Sequence, residues 1–327
     1  MTAMMAALFG GTAPQWQSRV VPVPEPGPGQ VLVRARAVSL NSADVQQLDS
    51  SASGTGRRRE YLAGYEFAGD IAATGPGAAG VHIGDRVMGI TQGAFAQYVV
   101  AGHRHVMPIP ESLGYDEASA LPTGLLTEHG ALTRARFRSG QSVLITGATS
   151  SIGLIGVQMA KATGAAHVIA TTRSNTKEAL LRQSGADSVV VTDGQDLTQA
   201  VLDATGGEGA DVVLDHVGGQ TFADCLPATR MDGHIVNIGR LDGPQATIDL
   251  DALSYRHLHV RGVSFGFSRP EALGHVVAAA VEEVMPAVAD HRIRPVVDSV
   301  HAFDRAHEAA NRMRSHQAHG KIVLIVP

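Results

Sequence analysis

A single cysteine, Cys225, stands in a chain of 327 residues, so neither a disulfide framework nor a multi-cysteine metal centre can form within it. Aromatic residues make up only 4% and charged residues only 17% of the sequence. The formal net charge is -5 and the pI is near 6.3. Such a chain offers neither the basic surface nor the basic–aromatic interleaving that nucleic acid or an anionic membrane would need. No stretch approaches the roughly 18 uninterrupted apolar residues of a membrane-spanning helix. The opening MTAMMAALFGG is mildly apolar, but no basic residue precedes Arg19. It lacks the basic region of a secretory signal and reads as the first strand of a cytoplasmic protein.

What is abundant is apolar and flexible: 44% hydrophobic residues and 37 glycines. At this length two domains, rather than one core, are expected. The chain is organised around Ser142 to Ala165, SVLITGATSSIGLIGVQMAKATGA. Val143 to Thr146 form a short β-branched run suited to a strand buried on both faces. A small-residue turn follows, and then Ile152, Ile155, Gly156, Met159, Ala160 and Thr163 recur at helical spacing, with Gly164 as the stop. Strand, glycine-rich turn and helix form the context of a dinucleotide-binding turn, where N–H groups at the helix start attract a pyrophosphate. Ala148, Ser150 and Gly153 stand where three glycines would be, and the hydroxyls of Ser150 and Ser151 add donors. Thr149, Ser150, Ser151, Ile152 and Gly153 are therefore candidate cofactor contacts.

The first 120 or so residues show short alternating strands between Gly/Pro-rich turns: Val31 to Ala37, Glu66 to Thr74, Arg86 to Ile90 and Phe95 to Val100. This pattern suggests a twisted, barrel-like β domain. From Tyr115 onward strand and helix alternate. Strands are expected at His167 to Thr172, Ser188 to Thr192, Asp211 to Asp215, Gly233 to Gly239 and His259 to Phe265. Helices are expected at Thr176 to Ser184, Leu197 to Ala204, Thr221 to Arg230 and Arg269 to Asp290. Together they predict a doubly wound parallel sheet. The tail GKIVLIVP is a strand expected to return to the first domain.

Several segments in this order resemble the medium-chain dehydrogenase/reductase superfamily, in its zinc-independent, quinone oxidoreductase-like branch. They are VLVRARAVSLNSAD from Val31, GYEFAG from Gly64, GDRV from Gly84, GAFAQYV from Gly93, ASALPTGLLT from Ala118, the central turn, GADSV from Gly185, DVVLDHVGG from Asp211 and the Gly320–Lys321 pair. The resemblance implies a GroES-like catalytic domain over 1–122 and 267–327, with a Rossmann NADPH-binding domain over 123–266 inserted. It places Asn41, Asp44, Tyr65 and Thr127 around the nicotinamide end of the cofactor. It makes Val217, Ile238, Gly239, Ser264, Phe265 and Gly266 part of the cofactor-lining loops, and it implies a homodimer joined near His259 to Phe267. Each of the first four residues also has a plainer role open to it. Asn41 and Asp44 suit the cap of a helix starting near Ala43, Tyr65 suits packing, and Thr127 suits the start of a helix over Glu128 to Thr133.

Zinc-binding members carry two cysteines and the histidine of a Gly-His-Glu motif. Asn41 or its neighbours, Tyr65 and the Pro122–Thr123 region stand at the corresponding places here. Asn, Tyr and Pro do not replace thiolate and imidazole, so no metal is expected. His103 with His105, and His316 with His319, have tolerable spacing but no carboxylates beside them. In NAD-specific turns an acid lies about 20 residues beyond the glycines. Here that place reads Thr172, Arg173, Ser174, Asn175, Thr176, Lys177, with no carboxylate before Glu178. Two cations and hydroxyl donors suit a 2′-phosphate, which predicts NADPH. The tyrosine common in the family after the GAD motif is Thr192.

Without a Lewis acid, the expected reaction is reduction of an electron-poor acceptor, a quinone or a small α,β-unsaturated carbonyl. Two alternatives remain open. One is an enoyl reductase of CoA- or carrier-bound thioesters, with Arg57 to Arg59 in the loop Ser50 to Arg59 meeting an acidic substrate. The other is an NADPH-binding sensor or scaffold with little turnover.

Overall fold

The computed structural model describes residues 3–52, 60–264, 269–315 and 317–327. The chain begins with β1 (Met4–Gly10), β2 (Gln17–Pro22), β3 (Gln30–Leu40), α1 (Ser42–Ala52), β4 (Tyr61–Leu62), β5 (Glu66–Thr74), β6 (Arg86–Ile90), β7 (Tyr98–Gly102) and β8 (Val106–Pro108). Helices α2 (Tyr115–Ser119) and α3 (Pro122–Arg134) lead into the alternating region. That region runs β9 (Ser142–Ile145), α4 (Ser151–Ala162), β10 (His167–Thr172), α5 (Glu178–Gln183), β11 (Ser188–Val191), α6 (Leu197–Ala204), β12 (Ala210–Asp215), α7 (Gly219–Cys225), β13 (Thr229–Asn237), α8 (Leu250–Tyr255) and β14 (His259–Gly262). The last part holds α9 (Pro270–Glu283), α10 (Met285–Ala289), β15 (Val297–Ala302), α11 (Ala306–Arg314) and β16 (Lys321–Ile325).

The chain forms two compact units. One comprises Met1–Thr123, Gly266–Ala289 and Pro295–Pro327; the other comprises Gly124–Phe265 and Asp290–Arg294. In the first unit a seven-stranded sheet runs β15-β16-β3-β5-β6-β8 with β7 also on β3, beside a three-stranded sheet β2-β1-β4. Leu40, Phe67, Ile71 and Phe95 are fully buried in the core of this unit, and Trp16 meets Phe95 edge-on at 5.3 Å. Two pairings matter for the site. β16 runs antiparallel to β3 with Ile322 opposite Leu40, and β5 lies on β3's other side with Glu66 opposite Ser39. The C-terminal strand thus returns to this unit and delivers Lys321 beside the end of β3.

The second unit holds a six-stranded parallel sheet in the order β11-β10-β9-β12-β13-β14. This is the doubly wound parallel sheet anticipated above, and its central strands are apolar without alternation because both faces are covered. The chain reverses its winding direction between β9 and β12. The carboxyl ends of those strands, at Thr146 and Asp215, flank the crevice where such sheets take ligands.

Several expected boundaries move for identifiable reasons. The helix expected over Arg269 to Asp290 is split into α9 and α10, because Pro286 has no N–H to donate and its ring crowds the preceding turn. The helix expected over Thr221 to Arg230 ends at Cys225, whose carbonyl is taken by the Thr229 hydroxyl as β13 begins. Thr127 does not start a helix: α3 begins at Pro122, a residue suited to the first helical position. β14 ends at Gly262; Phe265, Gly266 and Phe267 lie outside the described residues, as do His316 and Arg57 to Arg59.

Candidate functional site

In the first unit the ends of β3, β5 and β16 bring Ser39, Asn41, Glu66 and Lys321 together without solvent. Glu66 is 0% and Lys321 1% exposed. Charged side chains are buried to this degree only when paired. Lys321 Nζ forms an ion pair with Glu66 and donates to Asn41 Oδ1 at 2.7 Å. Glu66 Oε1 also accepts from Ser39 Oγ at 2.6 Å and Asn41 Nδ2 at 2.8 Å, and Oε2 accepts the Thr123 N–H at 2.9 Å.

The Asn41 side chain is thereby used twice and does not cap α1. Asp44 does: its Oδ2 accepts the Asn41 N–H at 2.7 Å, the return half of a capping box. Its other oxygen, Oδ1, is buried without a hydrogen-bond partner among the described residues. Burial, with Glu66 adding and the Asn41 N–H and Lys321 opposing, pushes Asp44 from 3.8 up to about 8, so its carboxyl is neutral at pH 7. Tyr65 is half-buried and donates to Gln47 Oε1 at 2.9 Å. Burial, and secondarily Asp44, raise its phenol above 10.0, which keeps the hydroxyl a donor. Of the three residues expected to carry chemistry, Asn41 and Asp44 are 9% and 1% exposed, and Tyr65 alone has open surface.

This donor set does not suit zinc. It offers an amide, a phenol and a carboxylate already neutralised by an ammonium, where tetrahedral zinc takes thiolate and imidazole. Among the described residues no group of three or more His, Cys, Asp or Glu is placed to hold a metal ion. His103 and His105 are each bound to a backbone carbonyl, of Gly29 and Pro270.

In the second unit the glycine-rich turn joins β9 to α4. Gly147 has φ +57, and a Cβ on Gly153 would come within 2.7 Å of Ala148 Cα, so helix and strand approach closely only because both positions are glycine. Ser150 is the N-cap of α4, its Oγ accepting from Gly153 N at 3.0 Å. Ser151 and Ile152 donate their N–H groups to no acceptor among the described residues, leaving the helix start open to an anion. Thr149 is half-buried beside them.

Farther along this crevice, β13 turns back at Ile238 and Gly239, whose N–H groups both donate to Asp215 O. Asp215 Oδ1 accepts from Val217 N at 3.1 Å and from Thr146 Oγ1 at 2.8 Å. Thr127 is half-buried on α3, and Ser264 is exposed. At the end of β10, Thr172 is buried, Arg173 and Ser174 are exposed and Lys177 is half-exposed. The first carboxylate after the turn in sequence, Glu178, is already paired with Arg182 at 2.8 Å. The dinucleotide therefore fits the chain's own donors: small residues and open N–H groups at the turn, cations at the strand end.

Sequence reasoning missed the pair Glu128 and His216, buried together in this unit with Nε2···Oε1 at 2.6 Å. Glu128 shares a helix face with Leu125 and Leu132, and a lone charge on an apolar face is a signal of burial. Lys321, opening the apolar run KIVLI, was equally legible as a buried cation.

Comparison with known proteins adds to this geometry. Residues 27–111 match the family described as the alcohol dehydrogenase GroES-like domain, and residues 151–282 the zinc-binding dehydrogenase family. Quinone oxidoreductase-like protein 2 of Bos taurus is 30% identical over 300 residues, covering 90% of this chain and 84% of that protein. A mycocerosic acid synthase-like polyketide synthase of Mycobacterium tuberculosis is 31% identical over 323 residues, 94% of this chain and 14% of that protein. A solved mycobacterial protein complexed with NADPH superposes with a TM-score of 0.85 at 26% identity, covering 98% of this chain and 100% of that one.

Proposed function

The chain belongs to the quinone oxidoreductase-like branch of the medium-chain dehydrogenase/reductase superfamily, and from that premise we propose that it is an NADPH-dependent, zinc-independent reductase of quinones or small α,β-unsaturated carbonyls. The observation that carries the reading is that Asn41 and Tyr65, which by resemblance stand where zinc-binding members carry ligands, are an amide held by Lys321 and Glu66 and a phenol bound to Gln47. An alcohol cannot be ionised there by a Lewis acid. Bound NADPH supplies hydride equivalents to an acceptor that is already electron-poor. The chain's own residues then orient and protect. Tyr65 presents a protonated hydroxyl able to meet an acceptor oxygen, Asn41 and Asp44 fix the segment behind it, and the proton is completed from Tyr65 or solvent. The first unit serves as the catalytic domain and the second as the cofactor domain.

The choice of NADPH rests on Arg173, Ser174 and Lys177, with Thr172 beside them and no carboxylate in the sequence between Gly153 and Glu178. The mycobacterial neighbour's complex supports the same cofactor. The protein acts in the cytoplasm as a homodimer. Among the described residues β14 is the last strand of its sheet, with Val260 43% exposed, and an unpaired edge invites pairing with a second copy. A second reading, reduction of enoyl thioesters, is favoured by one observation: the chain aligns over nearly its whole length with a segment of a polyketide synthase.

Titration of wild type and Arg173→Glu with NADPH and NADH, followed by nucleotide fluorescence, tests the cofactor assignment. Wild type should prefer NADPH by about tenfold or more and the variant should lose that preference. Equal affinity of wild type for both nucleotides contradicts it.

A further inference from the structure

His216 lies at the carboxyl end of β12 with its ring held at both nitrogens. Nδ1 is 3.0 Å from the carbonyl oxygen of Thr146, and Nε2 is 2.6 Å from Glu128 Oε1. A carbonyl only accepts, so Nδ1 must carry a proton. The short contact to Glu128 requires one more proton between ring and carboxylate. Burial alone pushes the imidazole down, but Glu128, Asp215 and the Thr146 carbonyl together hold it above the usual histidine range. The charged groups facing the ring are Glu128 from α3 and Asp215 from β12, while the segment just after β9 contributes Thr146.

The peptide that His216 grips is the one entering the glycine-rich turn. Its carbonyl, on Thr146, accepts from His216; its N–H, on Gly147, donates to Thr171 Oγ1 at 3.0 Å. The Thr146 hydroxyl accepts the His216 N–H at 3.0 Å and donates to Asp215. Both ends of this peptide plane are thus fixed by side chains, and Glu128 fixes the orientation and proton of the ring that holds one end. Gly156 of α4 makes room for this arrangement, since a Cβ there would lie 2.5 Å from Glu128 Oε2.

We propose that Glu128 is a positioning residue for the dinucleotide: acting through His216, it locks the Thr146–Gly147 peptide and so aims the turn at the cofactor phosphates. This rests on the cofactor reading above. Glu128→Ala frees the ring to rotate or to move its proton to Nε2. Glu128→Gln retains the hydrogen bond by donating to Nε2, which leaves the proton on Nδ1. Thr171→Val releases the other end of the same peptide without touching the charged pair.

The test is NADPH titration of wild type and the three variants, with thermal unfolding as the control for folding and nitrogen NMR of the His216 ring. Losing one buried hydrogen bond of this kind should weaken NADPH binding about tenfold in E128A and in T171V. E128Q should recover most of the affinity and keep Nδ1 protonated. Folded E128A that binds NADPH like wild type, or E128Q as weak as E128A, overturns the proposal. If E128A does not fold, T171V decides: affinity unchanged from wild type overturns it. Wild type that binds neither NADPH nor NADH overturns the cofactor reading itself, and the proposal falls with it.

Discussion

Glu66 and Glu128 are both fully buried carboxyl groups facing a side-chain nitrogen, one in each unit, yet they are solvated differently by the protein. Glu66 has both oxygens occupied, by the Ser39 hydroxyl, the Asn41 amide, the Lys321 ammonium and the Thr123 N–H. Glu128 has one oxygen on His216, and the other is buried without a hydrogen-bond partner among the described residues. The first is a closed structural joint whose charges leave no room for another cation. The second depends on an imidazole, the side chain whose proton is most readily exchanged near neutral pH. Full satisfaction marks a fixed scaffold; partial satisfaction marks a joint that holds something else in place.

The largest effect should come from breaking the closed joint. Lys321→Met leaves the Glu66 carboxylate buried without its cation and should destabilise the protein by about 3–5 kcal/mol in urea unfolding. Adding Glu66→Gln should recover much of that loss, and a stable single variant would erase the distinction between the two joints. His216→Asn should cost less, about 1–3 kcal/mol, because it removes one hydrogen-bonded partner of Glu128 and not the ammonium at the centre of a closed cluster. The variant should also lose the part of the decline in stability with rising pH that the raised imidazole contributes; a loss as large as that of Lys321→Met would show both joints to be alike.

The smallest effect concerns Asp44, whose carboxyl moves from 3.8 to about 8 on folding. Between those values the folded chain holds a proton that the unfolded chain releases, so this group's contribution falls as pH rises through that window. His216, also raised, has the same sign: its contribution is complete below the ordinary histidine value and is lost as pH rises through its folded value. Asp44→Asn should therefore flatten the decline in melting temperature between mildly acidic and mildly alkaline pH while leaving α1 capped at its start. An unchanged slope would mean that Asp44 is ionised in the folded protein.

Much of this was legible in the sequence. The strand, turn and helix from Ser142 to Ala165 announced the dinucleotide turn, because local periodicity and small residues determine it. That the second sheet is parallel and covered on both faces followed from the alternation of strand and helix; its strand order did not. What escaped depends on long-range pairing. Glu128 and His216 are 88 residues apart and Lys321 and Glu66 are 255 apart, so only the folded chain reveals that each buried charge has a partner. The same holds for Asn41, whose side chain is drawn from the helix cap it seemed suited to by a lysine near the other end of the chain.

The most direct test of the account is the rate of NADPH oxidation by the full-length protein after exhaustive chelation, with quinones, free enones and enoyl thioesters as acceptors. Turnover that survives chelation and favours quinones or free enones over thioesters is the predicted result. Activity that vanishes on chelation and returns with zinc would contradict the central claim that this chain reduces its acceptor without a metal.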